Sequence, residues 1–189
     1  MLDTIRQALT QRYAEPHRAY HGMGHIEALL QGQFAHRDLI QDQRAVMLAI
    51  WFHDAIYDTQ QADNEERSAV LAGEMLSQAG AEPALIESVQ RKVRATQRHE
   101  WTDGDPDTAV FLDLDLGVLA ASPEAYERYA QQVAQEYAWV PEPAYKQGRA
   151  KVLQAFLDRP QIYFTPALRA KWEDSARANL KRELAALTA

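Results

Sequence analysis

Apolar residues recur at helical spacing along almost the whole chain, whereas the alternation typical of β-strands is scarce. This pattern predicts an all-α fold, an irregular single-domain helical bundle. The expected helices span residues 2–13, 22–35, 41–57, 64–79, 83–98, 107–120, 123–138, 143–158 and 166–187. Breaks rich in proline and glycine separate most of them, and Asp63 or Asn64 and Ser122 are expected N-caps.

Length and charge limit the organisation of the chain and its partners. With 189 residues and 47% hydrophobic composition the chain can bury one substantial core, so residues 1–189 are expected to form one domain. Its 27 acidic and 20 basic residues give a net charge of -7, which disfavours nucleic acid as the main partner. A local basic pocket could still hold a small phosphorylated compound. No segment has the pattern of a signal peptide or a membrane span, so we expect a cytoplasmic protein without a membrane partner. The pattern does not specify an oligomeric state.

The stretch "WFHDAIYD" places His53 and Asp54 side by side in an apolar run. Val46, Ile50, His53 and Tyr57 fall at i, i+4, i+7 and i+11, so on a helix His53 would face the interior with Asp54 beside it. Because the chain contains no cysteine, a transition-metal site would have to use histidine, aspartate and glutamate. The alternative is a buried histidine bonded to a backbone carbonyl, with Asp54 paired to an arginine.

Upstream, His17, His21 and His25 are spaced by four residues, which on a continuous helix would stack them on one face. Gly22 and Gly24 argue against that continuity, because each weakens a helix interior by about 1 kcal/mol relative to alanine. The helix is therefore expected to begin near these glycines. His25 is then the best inward-facing candidate of the three, and His21 is expected either behind the inward-facing residues or in the wall of a pocket.

Downstream, Asp113 and Asp115 interrupt the apolar run "DTAVFLDLDLGVLA". A buried carboxylate needs a cation or several hydrogen-bond donors, whereas two aspartates on a solvated face would need a peripheral helix. The overlapping stretch "DGDPDTAVFLDL" begins like a calcium loop, but Thr108 and Leu114 stand where glycine and glutamate are required. It is interpreted as an exposed turn leading into a helix.

Taken in order, "YHGMGHI", "FHDAIYD", "DNEERSA" and "FLDLDLGVLA" resemble the motifs of the HD superfamily of metal-dependent phosphohydrolases. The similarity is greatest to a small, uncharacterised bacterial branch of predicted HD phosphohydrolases. "QEYAWVPEPAYKQGR" and "VLQAFLDRPQIY" are also similar to that branch. The resemblance implies an HD-type all-α domain, with its motif-bearing core at about 12–165 and a C-terminal helix at about 166–187.

The resemblance implies a set of metal ligands: His25, His53, Asp54 and Asp115. Asp115 is preferred to Asp113 because the last aspartate of the family motif is the second acid of a D-x-D pair. Two imidazoles and two carboxylates suit one divalent cation, which could be Mn, Fe, Co, Ni, Zn or Mg. The implied activity is hydrolysis of a small phosphorylated molecule, such as a nucleotide, by attack of metal-activated water.

Two features depart from parts of the family. Asp115 is followed by "LGVL" rather than by the arginine and aspartate of many members, so the substrate contacts of those relatives do not carry over. Binuclear members need further histidines between the HD pair and the last aspartate, and only His99 lies between Asp54 and Asp115, which favours a mononuclear site. Glu65 could still supply a ligand to a second metal. The alternatives are a catalytically silent regulatory module that binds a metal or nucleotide, and a di-iron oxygenase of the same fold.

Three further residues are predicted to act in catalysis. Glu65, in "DNEERSA", is the expected general base, or else a first-turn glutamate that only stabilises the start of its helix. His99 is expected to act as an acid or a phosphate donor, or else to be a surface histidine beyond a helix end. Arg18 is expected to hold a phosphate bidentately, or else to form a salt bridge to Asp54 or another acid.

Overall fold

The computed structural model describes the backbone of residues 2–188 and the side chains of residues 4–188. Over this range the chain is helical and has no β-strand, which confirms the predicted all-α class. The α-helices are α1 Leu2–Tyr13, α2 Met23–Ala35, α3 Gln43–Phe52, α4 Asn64–Gln78, α5 Pro83–Ala95, α6 Pro106–Asp115, α7 Pro123–Glu136, α8 Glu142–Leu157 and α9 Pro166–Thr188. Two 3₁₀ helices cover Arg37–Leu39 and Leu116–Ala120.

Local capping explains where several helices begin. Gly22 is the N-cap of α2, as the glycine argument predicted. Asp42 caps α3, because its carboxylate accepts the amide hydrogens of Arg44 and Ala45. The predicted cap Ser122 accepts the amide hydrogen of Ala125 at the start of α7.

Two predicted helices end earlier than the apolar pattern suggested. Helix α3 stops at Phe52 rather than near residue 57, so Tyr57 lies in the following turn and not on a helical stripe. The hydroxyl of Ser68, on α4, accepts the amide hydrogen of Ile56 and so draws the backbone away from the helical path. Helix α6 ends at Asp115, and the chain continues as 3₁₀ helix to Ala120.

The contacts of the chain divide it into two compact units, with the boundary between Leu114 and Asp115. In the first unit α3 is central and packs against α1, α2, α4 and α5. Its fully buried side chains include Val46, Ala49, Ile50, Phe52, Ala69, Ala72, Val89 and Val93. This apolar packing fixes the positions of the start of α2 and the end of α3, where the candidate site lies.

The beginning of α6 is tied to two other parts of the first unit. The Nζ atom of Lys92, on α5, lies 2.6 Å from Oδ2 of Asp105. Both carboxylate oxygens of Asp107 accept backbone amide hydrogens, from Gln41 and Asp42, at 2.7 Å each. Asp107 is buried. As predicted, the stretch begins with an exposed turn, at Asp103 and Gly104, which leads into α6. The Asp105 carboxylate thus ties the start of α6 to α5, and the Asp107 carboxylate ties it to the segment before α3.

The second unit packs α7, α8 and α9 around the 3₁₀ helix Leu116–Ala120. Its buried cluster consists of Leu116, Leu119, Tyr126, Leu153, Ile162, Tyr163, Ala176 and Leu180. The Tyr163 hydroxyl donates to the Leu116 carbonyl, and the Asn179 amide donates to the Leu119 carbonyl. The prediction that residues 1–189 form one domain stays a prediction. None of the helices in the described chain is apolar over a sufficient length to cross a membrane.

Candidate metal centre

Three of the predicted metal ligands converge in the first unit. The Nε2 atoms of His25 and His53 lie 3.1 Å apart. Oδ2 of Asp54 lies 3.0 Å from Nε2 of His53 and 3.9 Å from Nε2 of His25. The two histidines are buried and Asp54 is half-buried. This group, which we call the triad, could hold a metal ion.

His25 is positioned by the start of α2. The Gly22 carbonyl accepts the amide hydrogen of His25 at 3.1 Å, in the first turn of the helix. Gly22 also lies against the backbone of Tyr13, since a Cβ atom added at Gly22 would be 3.2 Å from the Tyr13 carbonyl oxygen. A side chain at position 22 would therefore push the start of α2, and His25 with it, away from α1.

His53 is positioned by the end of α3. Its amide donates to the Ala49 carbonyl at 2.9 Å, and its φ of -59° and ψ of -41° continue the helix by one residue. Its Nδ1 lies 2.9 Å from the Ile50 carbonyl oxygen, which can only accept, so Nδ1 carries the hydrogen. The predicted alternative of a carbonyl-bonded histidine is thus observed. It is compatible with metal binding, because the bond directs the Nε2 lone pair into the triad.

The spacing and chemistry of the triad fit a divalent cation. Ligand atoms that each lie about 2.0–2.2 Å from an ion are about 3 Å apart at a right angle and about 3.4 Å apart at a tetrahedral angle. The separations of 3.0 and 3.1 Å match a right angle, and the 3.9 Å separation corresponds to a wider one. The Nε2 lone pair of His53 and the Asp54 carboxylate, 3.0 Å apart, would repel each other unless a hydrogen or a cation lies between them. Two imidazoles and a carboxylate bind borderline divalent ions without selecting among them.

Aromatic rings surround the triad histidines. The Tyr20 ring packs on His25 with a centroid separation of 4.8 Å, and the His21 ring stacks on Tyr57 at 4.2 Å. His21 is thus next to the triad, 5.9 Å from the His25 ring, but is not part of it. His17 contacts the Tyr57 carbonyl, so the three histidines form no helical comb. Tyr20 was not among the predicted site residues, although it directly precedes His21 in "YHGMGH".

Arg18 lies beside the triad with a fully buried side chain. Its Nε donates to the Glu15 carboxylate at 3.0 Å. Its Nη1 donates to the carbonyls of His21 and Asp54, at 3.0 and 2.7 Å, and its Nη2 to the carbonyl of Ala55, at 3.2 Å. The predicted alternative, a salt bridge from Arg18 to a neighbouring acid, is thus observed with Glu15. Asp54 accepts from Arg18 through its backbone carbonyl.

The other two predicted catalytic residues lie on separate elements. Glu65 is half-buried in the first turn of α4, and its carboxylate has no hydrogen bond or ion pair with another residue in the described range 2–188. His99 lies beyond α5, half-buried, with a φ of 47° in the left-handed region. The catalytic roles of both residues stay predictions.

The two aspartates of α6 differ in burial. Asp113 is fully buried in the first unit. Asp115 is the half-buried last residue of α6 and the first residue of the second unit. Asp115 as a fourth ligand stays a prediction.

Fold and site together define an all-α protein with a buried His–His–Asp cluster that could bind a metal. No protein-family model matches the chain, no curated protein matches its sequence, and no solved structure matches its fold. Function is therefore inferred from the residues of the cluster and their surroundings.

Proposed function

We propose that the protein is a divalent-metal-dependent phosphohydrolase acting on a small phosphorylated molecule, such as a nucleotide. The observation that carries the proposal is the convergence of His25, His53 and Asp54, which come from two separate motifs of the HD-like pattern. The proposal assigns these three residues, with Asp115, to one metal. It includes the resemblance to the HD superfamily, on which the choice of phosphate chemistry rests.

The triad residues have distinct tasks in this proposal. His53 presents Nε2, because its Nδ1 is held by the Ile50 carbonyl. Asp54 contributes a negative charge 3.0 Å from that nitrogen. Burial of both imidazoles limits water around the charged groups, which strengthens their electrostatic interactions. A divalent cation bound there would polarise a phosphoryl oxygen and lower the pKa of a bound water.

Glu65 is the proposed general base, which accepts a proton from the attacking water as the bond from phosphorus to the leaving oxygen breaks. Two neighbours on α4 face the turn that follows the triad: the side chain of Asn64 bonds the Asp58 backbone, and that of Ser68 bonds the Ile56 backbone. Glu65 is adjacent to Asn64 and three residues before Ser68, so it flanks the same face of α4. Its carboxylate is not engaged by another described side chain and is available for proton transfer.

The proposal is tested by elemental analysis together with a phosphate-release assay. Each metal named above is titrated against a panel of nucleotides and generic phosphate esters. We expect one metal per chain and hydrolysis of at least one compound, both lost in His53→Ala and Asp54→Ala and both retained in His36→Ala. His36 is a suitable control because it caps the end of α2 and is outside the triad. Metal binding at the triad without hydrolysis of any compound would refute the enzyme and support a regulatory module, and two irons per chain would support an oxygenase.

The fourth ligand and the general base are tested separately. Asp115→Asn should weaken metal binding if Asp115 is a ligand, and unchanged affinity would remove it from the set. Glu65→Gln should lower kcat by about 10²–10⁴-fold while metal content is retained. Glu66→Gln is the matched control, because Glu66 lies in the same first turn but is exposed and paired with Arg94. Equal activity of the two glutamine variants would exclude Glu65 as the base.

A further inference from the structure

The guanidinium of Arg18 joins the two chain segments that supply the triad. On one side it bonds the carbonyl of His21, which directly precedes Gly22, the N-cap of α2. On the other side it bonds the carbonyls of Asp54 and Ala55, in the turn after α3. We propose that Arg18 is a positioning residue, which sets the separation of His25 from the other two triad ligands and does not bind the substrate. The inference rests on the metal-binding part of the proposed function.

The hydrogen-bonding capacity of Arg18 argues against bidentate binding of a phosphate. A guanidinium has five N–H donors. In Arg18 four hydrogen bonds, one to Glu15 and three to the backbone carbonyls, already use four of these donors. A bidentate contact with phosphate needs two parallel N–H groups. Binding phosphate in that way would therefore break bonds that hold the turn beside the triad.

The surroundings of the guanidinium also fix its position. Cζ lies 5.1 Å from the centroid of the Tyr13 ring and 5.4 Å from that of the Tyr57 ring, within range of cation–π attraction. Its carboxylate partner Glu15 is partly exposed, whereas the Arg18 side chain is fully buried. A buried charge held largely by neutral carbonyls and rings is expensive unless the geometry of every bond is retained. Arg18 is thus built into the fold as a rigid cross-link.

The position of the three carbonyls explains how Arg18 acts on the metal ligands. The chain leaves the helical path directly after His53, and the bonds to the Asp54 and Ala55 carbonyls fix that departure. The direction of the turn determines where the Asp54 carboxylate lies, 3.0 Å from Nε2 of His53. The bond to the His21 carbonyl fixes the start of α2 relative to this turn, and so the 3.1 Å separation of His25 from His53.

Other bonds between the same segments should keep the protein folded when Arg18 is replaced. The Tyr13 hydroxyl donates to the Trp51 carbonyl at 3.0 Å, and Nε2 of His17 lies 2.8 Å from the Tyr57 carbonyl oxygen. Loss of Arg18 is therefore expected to loosen the triad rather than to separate α1 from α3. A lysine would keep the charge, but its single ammonium cannot reproduce the planar fork that reaches both segments.

The proposal is tested by cobalt titration of the full chain, followed by the visible absorption of the bound Co²⁺, which reports its coordination. We expect Arg18→Lys and Arg18→Met to bind cobalt about 10–100-fold more weakly than the wild type, with a changed absorption spectrum. Far-UV circular dichroism should stay unchanged. Arg37→Met is the matched control, because Arg37 also donates to a carbonyl and lies over an aromatic ring, both belonging to Phe34, and it should keep the wild-type affinity and spectrum.

Three results would overturn the inference. Wild-type affinity and spectrum in both Arg18 variants would show that the triad forms without the cross-link. A raised KM for a hydrolysed phosphate compound, with unchanged cobalt binding, would assign Arg18 to the substrate instead. Both results leave the proposed metal site intact, whereas a wild-type chain that binds no cobalt or other divalent metal overturns the proposed function and this inference together. If Arg18→Met does not fold, the absorption spectrum of cobalt bound to Arg18→Lys decides whether Arg18 positions the triad.

Discussion

Removal of the Asp105 carboxylate should destabilise the protein strongly, because it leaves a charged lysine buried without its counterion. The Lys92 side chain is 1% exposed, and its ammonium bonds Asp105, at 2.6 Å, and the hydroxyl of Ser88, at 3.0 Å. Breaking a buried ion pair from one side costs about 3–5 kcal/mol. The Asp105 side chain is 27% exposed, so some water can reach the ammonium, and we expect the lower end of this range for Asp105→Asn.

Urea unfolding followed by circular dichroism measures this loss as a difference in the free energy of unfolding. A loss of about 3 kcal/mol corresponds to a fall in Tm of about 6–12 °C for a chain of this size. Asp38→Asn is the control, because Asp38 is exposed in the same unit and its replacement should change stability by less than about 0.5 kcal/mol. Lys92→Met combined with Asp105→Asn should be less destabilised than Asp105→Asn alone, since no unpaired charge remains buried. A loss below about 1 kcal/mol in Asp105→Asn would refute the reasoning.

The ion pair of Lys92 and Asp105 also predicts how the stability of the protein depends on pH. Burial alone would raise the pKa of Asp105, but hydrogen bonds from Lys92 and from the Asp107 amide outweigh it and hold that pKa below its ordinary value. The unfolded chain then takes up the proton first, at a pH near the ordinary aspartate pKa of about 3.9. The contribution of Asp105 to stability is therefore complete above that pH and is lost as the pH falls towards the lower pKa of the folded state. The stability difference between wild type and Asp105→Asn should shrink over this acid range, and a constant difference would contradict the assignment.

Three other substitutions test separate features of the fold by their effect on urea unfolding. Gly73→Ala should change stability by less than about 1 kcal/mol, because the added Cβ would meet only the flexible amide end of Gln90, 2.4 Å away at Nε2, and loss of its bond to the Ala69 carbonyl is offset by the higher helix propensity of alanine. His99→Gly should be about 1 kcal/mol more stable than His99→Ala, because the backbone at 99 has a φ of 47° and both variants lose the same ring. Glu183→Ala should cost about 3 kcal/mol, because it leaves the guanidinium of Arg149, whose side chain is 9% exposed, without its carboxylate.

Each of these predictions has a control and a contrary outcome. In a Gln90→Ala background, where the clash is absent, Gly73→Ala should be stabilising, and a loss above about 2 kcal/mol in the wild-type background would show that Gln90 cannot turn away. Equal stability of the two His99 variants would show that the left-handed backbone is not strained. Glu87→Ala breaks the exposed pair with Arg91 and should change stability by less than about 1 kcal/mol, so a loss equal to that of Glu183→Ala would contradict the role of burial.

The helical pattern was a good guide to the fold wherever local residues decide the ends of a helix. Ser122 marks the start of α7, as its capping preference predicted, and Gly22 marks the start of α2, as the cost of glycine inside a helix predicted. The end of α3 could not be predicted, because the apolar pattern continues through Ala55 and Ile56. The bonds that end the helix come from Arg18 and from Ser68, which are remote in sequence. Helical periodicity contains no information on such tertiary partners.

The sequence was similarly informative about part of the candidate site. The structure brings His25, His53 and Asp54 together, as the ordered motifs had implied. The surroundings of Arg18 were not predictable, since a conspicuous arginine before a histidine motif is equally compatible with a bound anion and with backbone carbonyls. Only the tertiary contacts of Arg18 distinguish the two, because both use the same N–H donors.

Ionisable side chains lie at both ends of helix α3. At its start, the carboxylate of Asp42 bonds amides in the first turn, and that of Asp107 bonds the amide of Asp42 itself. Its far end leads into His53 and Asp54. The aligned peptide dipoles of a helix favour anions at its first turn and cations at its last, by about 0.3–1 kcal/mol. A cation held by the triad would therefore occupy the negative pole of α3, while carboxylates already neutralise the positive pole. The helix backbone would thus favour a cation at the triad, in addition to the side chains that could hold it.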